Sequence, residues 1–153
     1  MKKIITVLVL ALSGAMAHAD GFQCSSTDAS LDVKVFNHVD PELGTRNAAV
    51  MVLSNPEISY GNKTIARFKD VNLSSSGIVY TANVDLRYSD SARKGELIAG
   101  TKLGYVDTIQ LTVDHNYSFP VDDGTQVLGW LDITKRDGNV ISLNMNCVRY
   151  LKN

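Results

Sequence analysis

The chain has only two cysteines, three prolines and one tryptophan in 153 residues, and aromatics make up 7% of it. Cys24 and Cys147 have no C-x-x-C spacing, which argues against a thioredoxin-type redox centre. The chain is poor in the aromatics that form the interfacial girdles of an outer-membrane barrel, and its last strand ends Tyr150-Leu151-Lys152-Asn153, without a terminal aromatic. There is no G-x-S-x-G, no H-E-x-x-H and no spaced acidic calcium loop. Basic excess is also missing: the net charge is −1, which argues against a nucleic-acid binder. Beyond residue 19 no segment carries a 3.6-residue apolar period, and no repeat, low-complexity tract or linker divides the chain. The sequence therefore predicts no cofactor, no metal site and no assignable catalytic residues.

What is present begins with a short apolar leader. Lys2-Lys3, the apolar run from Ile4 to Leu12 and Ala17-His18-Ala19 have the order of a secretory signal peptide, cut after Ala19. The apolar run is too short to span a bilayer as a helix, and Gly21-Phe22-Gln23 before Cys24 is not a lipoprotein box. The expected division is residues 1–19 as signal and 20–153 as one domain of 134 residues, long enough to bury a sizeable core. Losing Lys2 and Lys3 leaves thirteen basic and sixteen acidic residues, a charge of −3. The form of the leader is bacterial, so the expected location is the periplasm or outside the cell. In such an oxidising compartment two cysteines predict a Cys24–Cys147 disulfide that ties the N-terminal segment to the last strand.

The rest reads as β structure. Leu31, Val33 and Val35 alternate with Asp32 and Lys34, and Ile78, Tyr80, Ala82, Val84 and Leu86 share one face. Ala48 to Leu53 is apolar on both parities, which predicts a strand covered on both sides. Ile58–Tyr60 and Thr64–Lys69, separated by Gly61-Asn62, suggest a small hairpin. Gly100 and Gly104 within Glu96–Tyr105 suggest a bent or bulged strand. From Asp107 to Phe119, Ile109, Leu111, Val113, His115, Tyr117 and Phe119 fall on one parity of a further strand. Eight or nine short strands at this spacing predict a single-domain antiparallel β-sandwich, with a closed β-barrel as the alternative.

The last hairpin, Gln126 to Tyr150, is the most legible part. A two-residue Asp137-Gly138 loop would set Leu131 opposite Asn144 and mix core with solvent. A three-residue loop, Arg136-Asp137-Gly138, sets Ile133 opposite Ile141, Leu131 opposite Leu143 and Val127 opposite Cys147. The longer loop, with Gly138 in the left-handed region, is the prediction. It places Trp130 on the other face, beside Asp132, across from Asn144, with Ser142 and Asn146 nearby. An aromatic among amides and a carboxylate suits a sugar ring; the competing expectation is that the segment around Phe22 covers it.

Other polar candidates are weaker in chemistry. His115 has no nucleophile or orienting carboxylate to work with, and it reads as a hydrogen-bonded histidine at the core's edge. Asp40 with Glu42, and Asp122 with Asp123, read as turn acids rather than calcium ligands. Asp85 and Asp107 are the acids on which a glycosidase-like pair would rest. Tyr88, Asp90, Arg93 and Lys94 form a polar loop suited to contact. Triplets at Asn62, Asn72 and Asn116 match the glycosylation pattern, accidentally in a bacterial protein. The expectation is an exported, non-catalytic binding or interaction domain whose partner, a protein or a glycan, the sequence does not name. The alternatives are a glycan or small-ligand binder using Trp130, Asp132, Asn144 and Asn146 or a barrel interior, and then a carboxylate-dependent extracellular hydrolase. Neither nucleic acid nor stable membrane insertion is expected.

Overall fold

Alternation of apolar and polar residues gives each strand one face to take out of water, and in this chain the strands do so by wrapping around one another. The computed structural model describes residues 19–28, 30–38, 48–56, 63–74, 78–84, 95–115 and 122–152. The leader before Ala19, the Ile58–Tyr60 segment, Asp40, Glu42, Asn62, Asp85, Leu86, Asn116, Tyr117, Phe119 and the contact-loop residues Tyr88, Asp90, Arg93 and Lys94 lie outside the described residues. The strands are β1 (Ala19–Ser26), β2 (Asp32–His38), β3 (Ala48–Asn55), β4 (Lys63–Ser74), β5 (Ile78–Asn83), β6 (Leu97–Ile98), β7 (Thr101–Lys102), β8 (Val106–Val113), β9 (Gln126–Lys135) and β10 (Val140–Lys152).

Eight strands close an antiparallel barrel in the order β1-β10-β9-β8-β5-β4-β3-β2, and β6 and β7 form a separate ribbon. The fold is all-β, and of the two architectures the barrel is the one formed. The alternation is the same in both; what differs is the fate of the sheet's edges. Here β1 pairs with β10 from Ala19↔Lys152 to Ser26↔Met145, so neither edge is left open. Each barrel strand otherwise pairs with its chain neighbours once the β6–β7 insertion is set aside, an up-and-down course. Register shifts between β3 and β4, at Ala49/Met51 and Leu53/Ser54, add the local bend that closure needs.

The interior is filled by side chains, as eight strands require. Phe22, Val33, Val35, Met51, Leu53, Tyr80, Ile109, Leu111, Leu131 and Ile133 are all fully buried. One end is stoppered by the insertion between β5 and β8, whose Ile98 and Leu103 are buried with the core. Glu96 to Tyr105 is therefore not a bent strand. Ala99 and Gly100, both at positive φ, turn the β6–β7 ribbon, and Leu103–Tyr105 is a single 3-10 turn. On β3, Ala49, Met51 and Leu53 are buried but Val50 and Val52 only half-buried. The strand is not covered on both sides, because a barrel has no second layer outside.

The Cys24–Cys147 disulfide is present, buried, and directly across the β1–β10 seam, with the Cα atoms 3.9 Å apart. Gly129 gives it room: a Cβ there would lie 3.1 Å from Cys147 Sγ and 2.6 Å from the Thr112 carbonyl oxygen. The same seam is bridged outside the barrel, where the Tyr150 hydroxyl donates to the Val35 carbonyl across Gly21. Its ring meets Phe36 edge-on at 5.5 Å.

Candidate functional site

The β9–β10 hairpin has the three-residue loop. Ile133 pairs with Ile141, Leu131 with Leu143 and Val127 with Cys147. Gly138, at φ 84°, donates its N–H to the Lys135 carbonyl at 2.9 Å. This register turns Leu131 and Ile133 inward and Trp130 outward. The neighbouring β8 supplies the other flank, and three cross-strand rows result. Asp114, whose N–H donates to the Leu128 carbonyl, stands beside Leu128, which pairs with Asn146. Thr112, Trp130 and Asn144 make the second row, and Gln110, Asp132 and Ser142 the third.

Four residues expected from the sequence, Trp130, Asp132, Asn144 and Asn146, thus share one outer face. Trp130 is 43% exposed. Phe22 does not cover it, because Phe22 points into the barrel, under the Arg149 guanidinium carbon 5.0 Å from its ring centre. Asp132 accepts a hydrogen bond from the Ser142 hydroxyl at 2.5 Å, which orients its carboxylate along the sheet. Two residues of this face escaped the sequence reading. Leu128 is 66% and Val148 38% exposed, and a shallow depression between β9 and β10 runs past both, with Gln126 and Asn146. A signal for them existed: Leu128 has the parity of Trp130, and the hairpin register carries Val148 to Gln126, one row from Leu128.

The remaining candidates lie elsewhere. Asp122 and Asp123 are exposed in the turn before β9, where the Asp122 carbonyl accepts the Thr125 N–H at 3.2 Å. Asp107 is exposed at the start of β8, and its carbonyl accepts the Val84 N–H at 2.8 Å. His115 sits half-buried at the end of the barrel opposite the β6–β7 ribbon, its ring 6.3 Å from that of Phe22. Burial, then the nearby Arg149 charge, holds its imidazole below the ordinary pKa. Among the described residues no three histidine, cysteine, aspartate or glutamate side chains converge to hold a metal ion. The face around Trp130 can therefore do the chemistry of contact: an indole and two aliphatic side chains to exclude water, with amides, hydroxyls and two carboxylates around them. Set against protein-family models, curated proteins and solved structures, the chain matches none.

Proposed function

We propose that the chain is an exported, non-catalytic binding domain whose contact surface is the outer face of β8, β9 and β10 around Trp130. The observation that carries this reading is the exposure of Leu128, Trp130 and Val148 together among polar neighbours, with exposed Val140 at the hairpin end of the same face. Water-exposed leucine and tryptophan side by side are the composition of an interface centre, and the polar rim around them is that of an interface edge. Leu128 and Val148 favour a protein partner over a glycan, because a sugar needs a stacking ring and hydroxyl partners rather than aliphatic neighbours.

The setting follows from the same chemistry. Exposed Lys34, Arg67, Lys69, Asp70, Asp107 and Asp114 clothe the barrel, whereas a lipid-facing barrel is apolar outside and polar within. Among the described residues no helix is long and apolar enough to cross a membrane. The leader read from residues 1–19 and the buried disulfide support residence in an oxidising compartment, periplasmic or extracellular.

Site-specific photocrosslinking tests the surface directly. Leu128→p-benzoylphenylalanine in the full chain, irradiated in the native host, is expected to form an adduct that Trp130→Ala abolishes. The same probe at exposed Asn83, on β5, serves as the control. No adduct at position 128, or an equal yield at position 83, would remove the surface from consideration.

A further inference from the structure

The barrel carries a second face whose outline answers the first. β9 is third and β3 seventh around a closed ring of eight strands, so their outer faces point in opposite directions. On the β3 side Lys34, Val52 and Arg67 form one cross-strand row, and Phe36 and Val50 pair in the next. Lys34 and Arg67 are exposed while Phe36, Val50 and Val52 are half-buried. Lys69 is exposed beside Val50, where the β3–β4 register shifts, and Asp70 follows it. Asp32, paired with Ser54, lies one row beyond Lys34, so the result is an apolar centre rimmed by three cations and two carboxylates, with one net positive charge.

The β9 side has the opposite sign. Leu128 and Trp130 lie between Asp114 and Asp132, and the outward residues of β8 (Thr108, Gln110, Thr112), β9 (Gln126 to Thr134) and β10 (Val140 to Val148) include no lysine or arginine. Strand rise and spacing put Asp114 and Asp132 about 14 Å apart and Lys34 and Lys69 about 12 Å apart. The two faces therefore agree in apolar centre and in the spacing of these charges, and their net charges are opposite in sign.

We infer that the occupant of the Trp130 face is the β2–β3–β4 face of a second copy of this chain, a deepening that rests on the Trp130 face being a contact surface. Leu128 and Trp130 cover Val50 and Val52, Asp114 and Asp132 meet Lys34 and Lys69, and the Arg67 guanidinium comes within reach of the indole face. Because the two faces lie on opposite sides of one barrel, the contact is head-to-tail. It does not close on two copies, and it propagates as an open chain.

Sedimentation of the exported, oxidised protein tests this. The weight-average mass is expected to rise with concentration beyond a dimer without a plateau, and to return towards the monomer in about 0.5 M salt, where the facing charges are screened. Trp130→Ser blocks one face and Arg67→Glu the other; each variant alone is expected to be monomeric. Mixed together they retain one intact face each, and should combine into a heterodimer that grows no further. Both positions are exposed, and retention of the disulfide and the β-type circular dichroism confirms that the variants fold. A wild-type protein monomeric at millimolar concentration overturns the inference, as does a discrete dimer that Arg67→Glu leaves intact. If the protein is monomeric and the position-128 crosslink joins it to a different protein, the contact surface stands and the second copy falls. If there is no crosslink at all, both fall.

Discussion

At the scale of single residues, the barrel depends on places where a side chain is missing as much as on those where one is present. Gly129 lies under the β8 backbone and against the disulfide sulfur. Gly129→Ala forces a Cβ against the Thr112 carbonyl, which is backbone and cannot swing aside. The expected cost is about 1–3 kcal/mol, as for other overpacked cores, read as a lower urea midpoint at an unchanged slope. An unchanged midpoint would mean that the β8–β9 spacing relaxes freely. Trp130 and Asn144 were legible because the hairpin that positions them is local. The role of Gly129 was not, because it depends on Thr112 from another strand, 17 residues earlier.

At the scale of elements, the turns hold the registers. In the β9–β10 loop Asp137 accepts from both the N–H and the Nδ2 of Asn139, at 3.0 and 2.9 Å. In the β1–β2 turn Asp28 Oδ1 accepts from the Ser26 hydroxyl at 2.6 Å, the Ser30 N–H at 3.1 Å and the Ser30 hydroxyl at 2.7 Å. These bonds, led by that from Ser26, lower the Asp28 pKa from 3.8 to about 2. A carboxylate whose folded pKa is depressed contributes stability above its unfolded pKa and loses it as pH falls through the folded one. The difference in unfolding midpoint between wild type and Asp28→Asn should therefore be constant at higher pH and shrink as pH falls from 3.8 towards 2. A difference that does not change over that range would show that the charge on Asp28 contributes nothing to the turn. The sequence pointed to the Asp137-Gly138 loop because only one loop length keeps an apolar face intact. It misplaced Gly100, because a turn glycine and a bulge glycine look alike until the neighbouring strands are paired.

At the scale of the whole molecule, one covalent bond spans the closure. Cys24 and Cys147 are 123 residues apart, and a loop of that length is nominally worth ~4–5 kcal/mol through the entropy of the unfolded chain. Cys24→Ala/Cys147→Ala is expected to lower the unfolding free energy by about that amount, measured by urea denaturation beside the oxidised wild type. A loss near zero would mean that the eight-residue β1–β10 ladder closes the barrel unaided. The same closure separates the acidic Trp130 face from the basic Val52 face by half a turn of the barrel, which sets the direction in which copies associate.

The sequence by itself determined the β class, the disulfide pair, the register of the last hairpin and the shared face of Trp130, Asp132, Asn144 and Asn146 opposite Leu131 and Ile133. The disulfide follows from there being only two cysteines; the others rest on parity within a strand or across a short loop, where neighbours in space are neighbours in sequence. Tertiary structure alone decided between sandwich and barrel, turned the doubly apolar β3 into a strand with one half-covered face, and set Asp114 and Thr112 beside Leu128 and Trp130. Those outcomes depend on which distant strands pair. Alternation says which face of a strand leaves water, but not which other strand it meets when it does.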